Sequence, residues 1–289
     1  MHQLGLKFFY KIFFLVLLLS AIIAPPLNSA NAAEIALVID DLGYNLEVGK
    51  RVLDLPGPVT LSLIPFTPKA KALSILAQDA GQDVLLHMPM EAIHYIDHEL
   101  EHVLELGMSL ASFQSSLNLS LDALPNCIGV NNHTGSLLTQ HRQPMEWLMG
   151  TIHNRGLFFL DSRTTHLSLA NTIAQERGVP SIGRDVFLDH EPGSTALEAA
   201  FQRAINIAQK RGFSVIIAHP HKSSLEFLER ALPELAEQSI KLVPLRELVH
   251  RHPLLASTAP LITRPPETSH PEAPAPLTDS GSAHTALGL

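Results

Sequence analysis

Short apolar runs alternate with longer helical stretches between Glu34 and His252. Most of the runs are almost continuously apolar, which is typical of parallel strands that are covered on both faces. The alternation predicts right-handed βαβ units and a parallel sheet. The candidate strands are residues 35–40, 59–65, 83–87, 128–132, 157–161, 183–189, 214–219 and 240–244. These units predict an α/β fold, an irregular (β/α) barrel of seven or eight parallel strands, with an open doubly wound sheet as the alternative.

Two of the intervening stretches carry clear helix signals. Residues 67–81 form one candidate helix, and residues 194–212 form the other. The second is predicted to start on a Ser/Thr cap at Ser194 and to end at Gly212.

The two ends of the chain differ in composition from the middle. Residues 1–32 combine lysines at the start, an apolar stretch over residues 12–24 and an A-x-A site, which predicts a signal peptide that is cut after Ala32 rather than retained as an anchor. Residues 253–289 hold seven of the 21 prolines and are predicted to be disordered. One domain, residues 33–252, remains. The protein is therefore expected in the periplasm or cell envelope, without stable membrane insertion after cleavage.

The net charge argues against some partners, and the cysteine count excludes an internal disulfide. The net charge of −8 argues against a nucleic-acid partner and against a basic membrane-binding surface. Loss of the predicted leader would make the charge more negative, because the leader contains lysines and no acidic residue. Cys127 is the single cysteine, so the chain forms no internal disulfide, and a domain of this size needs none.

Polar side chains cluster at the predicted carboxyl ends of six strands. In parallel α/β folds these ends share one face, and active sites lie there. The residues are Asp40, Asp41, His87, Asn131, Asn132, His133, Asp161, Ser162, Arg163, Asp189, His219 and His221. The pattern predicts a functional site on that face.

Asp40 and Asp41 are adjacent carboxylates, and their mutual repulsion disfavours ionisation of both unless a neighbour neutralises one of them. Side chains alternate along a strand, but the chain turns at a strand's end, so both carboxylates can reach one pocket. A cation bound by one would let both stay ionised. The alternative is that one aspartate caps the next helix and the other forms a surface ion pair.

His87 and His133 could complete a metal site with one aspartate oxygen. Two imidazoles and a carboxylate, with open positions for water, are a usual arrangement for catalytic zinc. Each histidine taken alone would more often be a packed or exposed residue, and their shared position at strand ends favours the metal site.

Several segments resemble the divergent polysaccharide deacetylase family, a distant branch of the carbohydrate esterases. They are "IALVIDDLGYN", "AGQDVLLHMPME", "GVNNHTGSLLT", "GLFFLDSRTT", "RDVFLD" and "IIAHPH", in an order that spans about residues 35–250. The resemblance implies a NodB-like barrel and hydrolysis of N-acetyl groups on an envelope polysaccharide such as peptidoglycan.

The resemblance also implies metal ligands. Asp40 matches the catalytic base and Asp41 a ligand, while His87 matches the first histidine of the family's H-x-x-x-H motif. Glu91 replaces the second histidine, so His133 is predicted to supply the missing imidazole to a divalent ion, with zinc preferred. Glu91 itself is left as a further ligand, a partner of the ligands, a helix-start acid or a substrate contact.

The same resemblance gives the remaining predicted roles. His219 matches the general acid, and Arg163 in "DSRTT" would supply the family's arginine, with Asp161 beside it. Asn132 is predicted to contact the substrate.

Two alternatives to a deacetylase stay open. One is a non-catalytic relative that binds a glycan or an envelope protein. The other is a different metallohydrolase, such as a phosphoesterase, which the acidic charge disfavours.

Overall fold

The computed structural model of the chain describes residues 32–94 and 100–252. The predicted tail and the predicted signal peptide, apart from Ala32, lie outside these residues. Within the described ranges, no helix combines the length and the apolar character that a membrane span requires.

Within the described residues the sheet is built from nine strands, and each hydrogen-bonded strand pair is parallel. The strands are β1 (Ala33–Leu42), β2 (Thr60–Leu63), β3 (Asp83–Met90), β4 (Gly129–Thr134), β5 (Phe158–Asp161), β6 (Ser181–Gly183), β7 (Val186–Phe187), β8 (Phe213–Ala218) and β9 (Ile240–Leu242). Eight of them follow the order β6-β5-β4-β3-β2-β1-β8-β7, and β9 pairs with the start of β1. The prediction of an irregular parallel barrel is confirmed, and the open doubly wound sheet is not observed.

Helices connect the strands, as the alternating pattern predicts. They are α1 (Leu46–Leu53), α2 (Ala70–Asp79), α3 (Leu110–Ala123), α4 (Arg142–Asn154), α5 (Ala170–Glu176), α6 (Ser194–Arg211), α7 (Lys222–Ala231) and α8 (Leu245–Arg251), with 3₁₀ turns at Leu138–Gln140 and Leu232–Gln238. Helix α6 ends at Gly212, which has a left-handed backbone, as predicted. The predicted Ser/Thr cap is wrong, because Gly193 precedes the helix and no side chain caps it.

The predicted strand over residues 183–189 is wrong as a single element. Its first residue ends β6, which pairs with β5, whereas Val186 and Phe187 form β7 on β8. These two short strands lie at opposite ends of the hydrogen-bonded path through the described residues. The barrel is therefore irregular rather than closed by a continuous ladder.

Strand β1 is covered on both faces, which explains its continuous apolar run. Ile35, Leu37 and Ile39 pack into a large core that includes the helices. Ala36 and Val38 point the other way, into a second cluster of strand residues and α8. Because both faces of β1 are buried apolar surface, the carboxyl end of the strand is held in place by the two cores.

Candidate active site

Asp40 and Asp41 reach the same pocket because β1 is irregular at its carboxyl end. The register between β1 and β2 shifts between Ile39 and Leu42, and Asp41 has a φ of 57°. A left-handed residue breaks the strand alternation that would send neighbouring side chains to opposite faces. Neither aspartate caps α1, since the side chain of Asn45 does so. The geometry agrees with the expected turn at the end of the strand.

Asp41, His87 and His133 form a compact cluster. Asp41 Oδ1 lies 3.1 Å from His87 Nε2 and 2.8 Å from His133 Nδ1. The two ring nitrogens lie 3.1 Å from each other. These distances bring one carboxylate oxygen and two imidazole nitrogens close enough to share a single metal ion.

Asn131 fixes the orientation of the candidate base and of one candidate ligand. Its Nδ2 donates to Asp40 Oδ1 at 2.9 Å, and its Oδ1 accepts from Ser62 Oγ at 2.7 Å. The same Oδ1 lies 3.0 Å from His87 Nδ1. A carboxylate only accepts hydrogen bonds, so the amide nitrogen must face Asp40, and His87 must donate from Nδ1. In its neutral form, His87 therefore directs the lone pair of Nε2 at the cluster.

The residues of the cluster fit a divalent metal ion. Three acceptor atoms that face one another at these distances repel unless a proton or a cation lies between them. One carboxylate oxygen and two imidazole nitrogens suit zinc and other divalent transition metals, and three protein ligands leave positions for water. The hydrogen bond from His87 to Asn131 is the kind of partner that orients a metal-bound histidine.

Charges at the cluster favour a bound cation. Burial opposes ionisation of Asp41, but its hydrogen bonds with His133 and His87 outweigh burial and lower the pKa of the carboxyl far below its ordinary range. For His87, burial lowers the pKa, but the charge of Asp40 and the hydrogen bond to Asp41 outweigh burial and raise the pKa overall. Both shifts reflect the attraction between these carboxylates and a positive charge placed beside them.

His219 lies across the pocket and is held by Asp189. Its Nδ1 donates to Asp189 Oδ1 at 2.8 Å, while Asp189 Oδ2 accepts from Ser224 Oγ at 2.7 Å. Burial lowers the pKa of His219, but the bond to Asp189 and the charge of Asp41 raise it to about 9. His219 Nε2 is 3.8 Å from Asp41 Oδ2. The imidazolium is thus positioned to donate a proton into the pocket.

Asp161 and Arg163, which the sequence places among the catalytic residues, form a separate group. Asp161 accepts from the Arg163 backbone N–H at 2.8 Å and from Ser168 Oγ at 2.9 Å. The Arg163 guanidinium donates to the Arg184 carbonyl at 3.1 Å. Among the described residues, no hydrogen bond or ion pair joins either side chain to Asp40 or to the cluster. Their roles in catalysis stay predictions.

Asn132 and Glu91, the predicted substrate contacts, brace the backbone. Asn132 is only 1% exposed, accepts from the Ser162 N–H at 2.9 Å and donates to the Thr134 carbonyl at 2.7 Å. The Glu91 carboxylate accepts from the Leu106 N–H at 2.7 Å. Contact with a substrate is untested for both residues, and the geometry shows each engaged elsewhere.

Sequence reasoning gave no role to Asn131, Asp189, Ser62 or Arg184. Asn131 and Asp189 were visible as polar strand ends, but a single sequence does not show which strand tips meet. Ser62 is fully buried on a central strand. A serine within the apolar run of a predicted strand is the sequence signal that could have indicated its role. Arg184 follows β6 within the segment that was misread as one strand.

The fold and these strand-end residues define a class of protein, the irregular (β/α) barrels with a polar pocket at the carboxyl ends of their strands. The sequence model of the divergent polysaccharide deacetylase family matches residues 37–249. The chain belongs to the divergent polysaccharide deacetylase family, as the resemblance predicted.

The chain is also similar to two relatives and to one solved structure. An uncharacterized protein of Haemophilus influenzae is 37% identical over 216 residues, which cover 75% of this chain and 76% of that protein. The uncharacterized protein YibQ of Escherichia coli is 31% identical over 243 residues, which cover 84% of this chain and 74% of YibQ. The crystal structure of an uncharacterized protein from Agrobacterium tumefaciens C58 is similar with a TM-score of 0.72 and 25% identity, covering 77% of this chain and 92% of that one.

Proposed function

We propose that the protein is an exported, metal-dependent deacetylase that hydrolyses N-acetyl groups on an envelope polysaccharide such as peptidoglycan. Membership of the family supports the substrate class. The observation that carries the proposal is the Asn131 side chain, which holds Asp40 at 2.9 Å and His87 at 3.0 Å. The Asn131 amide therefore orients both the proposed base and a proposed ligand toward one pocket.

Asp41, His87 and His133 would hold the divalent ion, with zinc as the expected metal. When bound, such an ion polarises the acetamide carbonyl and lowers the pKa of water. The His87 hydrogen bond to Asn131 and the ionised state of Asp41 keep both ready to bind a cation.

Asp40 is the proposed general base. Its Oδ1 is held by Asn131, and its Oδ2 faces the cluster, 3.7 Å from His87 Nε2. Asp40 is 2% exposed, so bulk water has little access to its carboxylate. In the proposed reaction its Oδ2 removes the proton from the water that attacks the acetamide carbon.

His219 is the proposed general acid. Asp189 holds its Nδ1, so the Nε2 proton faces the pocket. An amine leaves only poorly without a proton, so transfer from Nε2 to the amide nitrogen accompanies cleavage of the C–N bond. The products are acetic acid and the free amino sugar; Asp40 ends the step protonated by the attacking water, and His219 ends it neutral.

Export is proposed from the leader pattern in residues 1–32. It places the protein in the periplasm or cell envelope, where an N-acetylated polysaccharide is the substrate and a second envelope protein could be a partner.

A non-catalytic glycan- or protein-binding relative is the second candidate. The observation in its favour is Glu91, which stands where the resemblance expects a histidine and whose carboxylate binds the Leu106 N–H instead of the cluster. This candidate retains the scaffold and the pocket without turnover.

Asp40→Asn tests the proposal directly. The variant keeps the hydrogen-bonding shape but cannot accept the proton, so we expect acetate release to fall by about 10²–10⁴-fold while metal content and melting temperature stay unchanged. Acetate release is measured on a panel of N-acetylated glycans, with the surface variant Asp122→Asn as the control.

Two outcomes would count against the proposal. If wild-type protein with bound metal releases no acetate from any glycan, the binding relative is favoured. If Asp40→Asn keeps full activity, the role of Asp40 is wrong even though the family is right.

A further inference from the structure

Arg163 and Arg184 form an interlocked pair beside the candidate site. Arg163 Nη1 donates to the Arg184 carbonyl at 3.1 Å, and Arg184 Nη2 donates to the Arg163 carbonyl at 2.9 Å. Gly183 makes room for the pair, because a β-carbon at this position would collide with the Arg163 guanidinium. The two guanidinium groups are therefore held next to each other by the backbone itself.

The pair adjoins the network that positions the proposed catalytic residues. Arg184 Nε donates to the Ser162 carbonyl at 2.7 Å, and Ser162 Oγ accepts from Asn131 Nδ2 at 3.3 Å. On the other side, the Arg184 guanidinium lies 3.7 Å from the centre of the Phe187 ring, which stacks on His219. The pair thus lies on the side of the pocket where His219 would protonate the leaving amine.

Neither guanidinium has an ion-pair partner within the described ranges. The two acids that line the same cleft have other partners: Asp161 accepts from Ser168 Oγ, and Asp185 pairs with Arg211. Burial and the charge of Arg163 lower the pKa of Arg184 to about 10. Arg163 is exposed and Arg184 is half-buried, and the charges of Asp161, Asp185 and Asp40 offset only part of the repulsion that Arg184 experiences. A bound anion would offset more of the repulsion between the two guanidinium groups.

The pair lines a cleft that also offers a hydrogen-bond acceptor. The cleft has a volume of about 500 Å³, and its other lining residues are Asp161, Thr165, His166, Ser168, Asn171 and Asp185. Asn171 Oδ1 is buried and has no hydrogen-bond partner. The cleft therefore supplies cationic donors together with an acceptor that has no partner, which matches an oxyanion on a molecule that also carries N–H or O–H groups.

We propose that Arg163 and Arg184 bind a carboxylate carried by the N-acetylated glycan, in a subsite next to the reacting acetamide. The inference rests on the proposed function for the identity of the glycan. Guanidinium groups bind carboxylates through paired hydrogen bonds with a fixed geometry. The preferred substrate is therefore a glycan in which acidic sugars accompany N-acetylated ones, and a neutral N-acetylated glycan lacks one anchor.

Calorimetric titration of the metal-loaded full chain tests the subsite without requiring turnover. The probes are an oligosaccharide that contains N-acetylmuramic acid and the same oligosaccharide with its carboxyl groups reduced to alcohols. We expect wild-type protein to bind the acidic form about tenfold or more tightly, because hydrogen bonds to charged groups are the stronger kind. Arg163→Gln should abolish this preference, whereas Arg203→Gln, an exposed arginine on α6, should keep it.

A second variant covers the case in which Arg163→Gln fails to fold. Asn171→Asp leaves both arginines in place but adds a negative charge to the cleft, so it should weaken binding of the acidic form and leave the reduced form unaffected. Inorganic phosphate is a third probe: if it binds as tightly as the acidic glycan, the cleft takes free anions and the glycan assignment is overturned.

The outcomes separate this inference from the proposed function. Acetate release by wild-type protein with equal binding of the acidic and reduced glycans would overturn the subsite alone. A preference that depends on Arg163, without acetate release from either glycan, would support the subsite and count against the deacetylase. A preference that survives in both Arg163→Gln and Asn171→Asp would overturn the subsite as well.

Discussion

Two histidines on opposite sides of the candidate site have different partners behind the ring. His87 donates from Nδ1 to the neutral amide oxygen of Asn131, whereas His219 donates from Nδ1 to the carboxylate of Asp189. An amide fixes the tautomer without adding charge, which leaves Nε2 as a lone-pair donor to a metal. A carboxylate also stabilises the imidazolium, which suits a proton donor. The proposed ligand and the proposed acid therefore differ in the group that binds Nδ1 rather than in the imidazole itself.

The charges near the two rings support the same distinction. The carboxylates that raise the pKa of His87 are Asp40 and Asp41, which lie on the Nε2 side where a cation would bind. The first partner that raises the pKa of His219 is Asp189, on the side away from the pocket. A metal ion would thus displace the proton of His87 and leave the Nδ1 partner of His219 in place.

Backbone strain is also distributed unevenly between the two sides. Left-handed non-glycine residues lie near the carboxyl ends of β1 and β4, on the side of the cluster, at Asp41 (57°) and Thr134 (54°). Such residues cost about 1–3 kcal/mol each and persist where the surrounding structure imposes them. His219, which follows β8, is not among the described residues with positive φ. Backbone strain at the cluster therefore exceeds that at His219, which agrees with the proposed metal site.

The largest effect is expected from removal of a ligand on the cluster side. His133→Ala leaves two protein ligands, so metal content measured by elemental analysis should fall from one equivalent to a small fraction, by more than the roughly 10–100-fold typical of losing an outer partner. His153→Ala, an exposed histidine on α4, is the control. Unchanged stoichiometry in a folded His133→Ala protein would remove this residue from the site.

A smaller effect is expected when the amide behind His87 is removed. Asn131→Ala frees the ring and the Asp40 carboxylate, so the metal dissociation constant should rise by about 10–100-fold. Asn126→Ala is the matched control, because Asn126 is also a part-buried amide but binds Ser74 instead of the cluster. Equal metal affinity in both variants would show that the amide does not orient the ligand.

The smallest effect is expected at the carboxylate behind His219. In the metal-free protein, Asp189→Asn removes one of the negative charges near the ring but leaves those of Asp41 and Asp40. The pKa of His219, followed by NMR, should fall by about one unit from its wild-type value, a tenfold change in proton binding. Ser224→Ala removes only the second bond to Asp189 and should change the pKa less. An unchanged pKa in Asp189→Asn would remove the distinction between the two histidines.

The same shift has a consequence for stability. The pKa of His219 is raised in the folded protein from 6.5 to about 9, so its contribution to stability is complete below pH 6.5 and is lost as the pH rises through about 9. Wild-type protein should therefore lose more stability than Asp189→Asn across this interval, as measured by denaturant unfolding at several pH values.

Much of this molecule could be predicted from the sequence. The continuous apolar runs located the parallel strands, and the polar residues after them located the functional face. The misread segment, residues 183–189, failed because two very short strands look like one when only local pattern is available. Glu91 was left with several roles, because the pattern does not reveal that the Leu106 N–H lies within 2.7 Å of its carboxylate.

The sequence by itself determined the periodic elements and the residue types at the strand ends, because strand and helix periodicity is a local property. Only the tertiary structure decided which of these ends meet. The left-handed turn at Asp41 and the registers of β1, β3 and β4 bring three candidate ligand atoms together, and the side chain of Asn131 sets the direction of the His87 lone pair. These contacts join residues as far apart as Asp41 and His133, and such distances depend on packing across the whole sheet rather than on any local pattern.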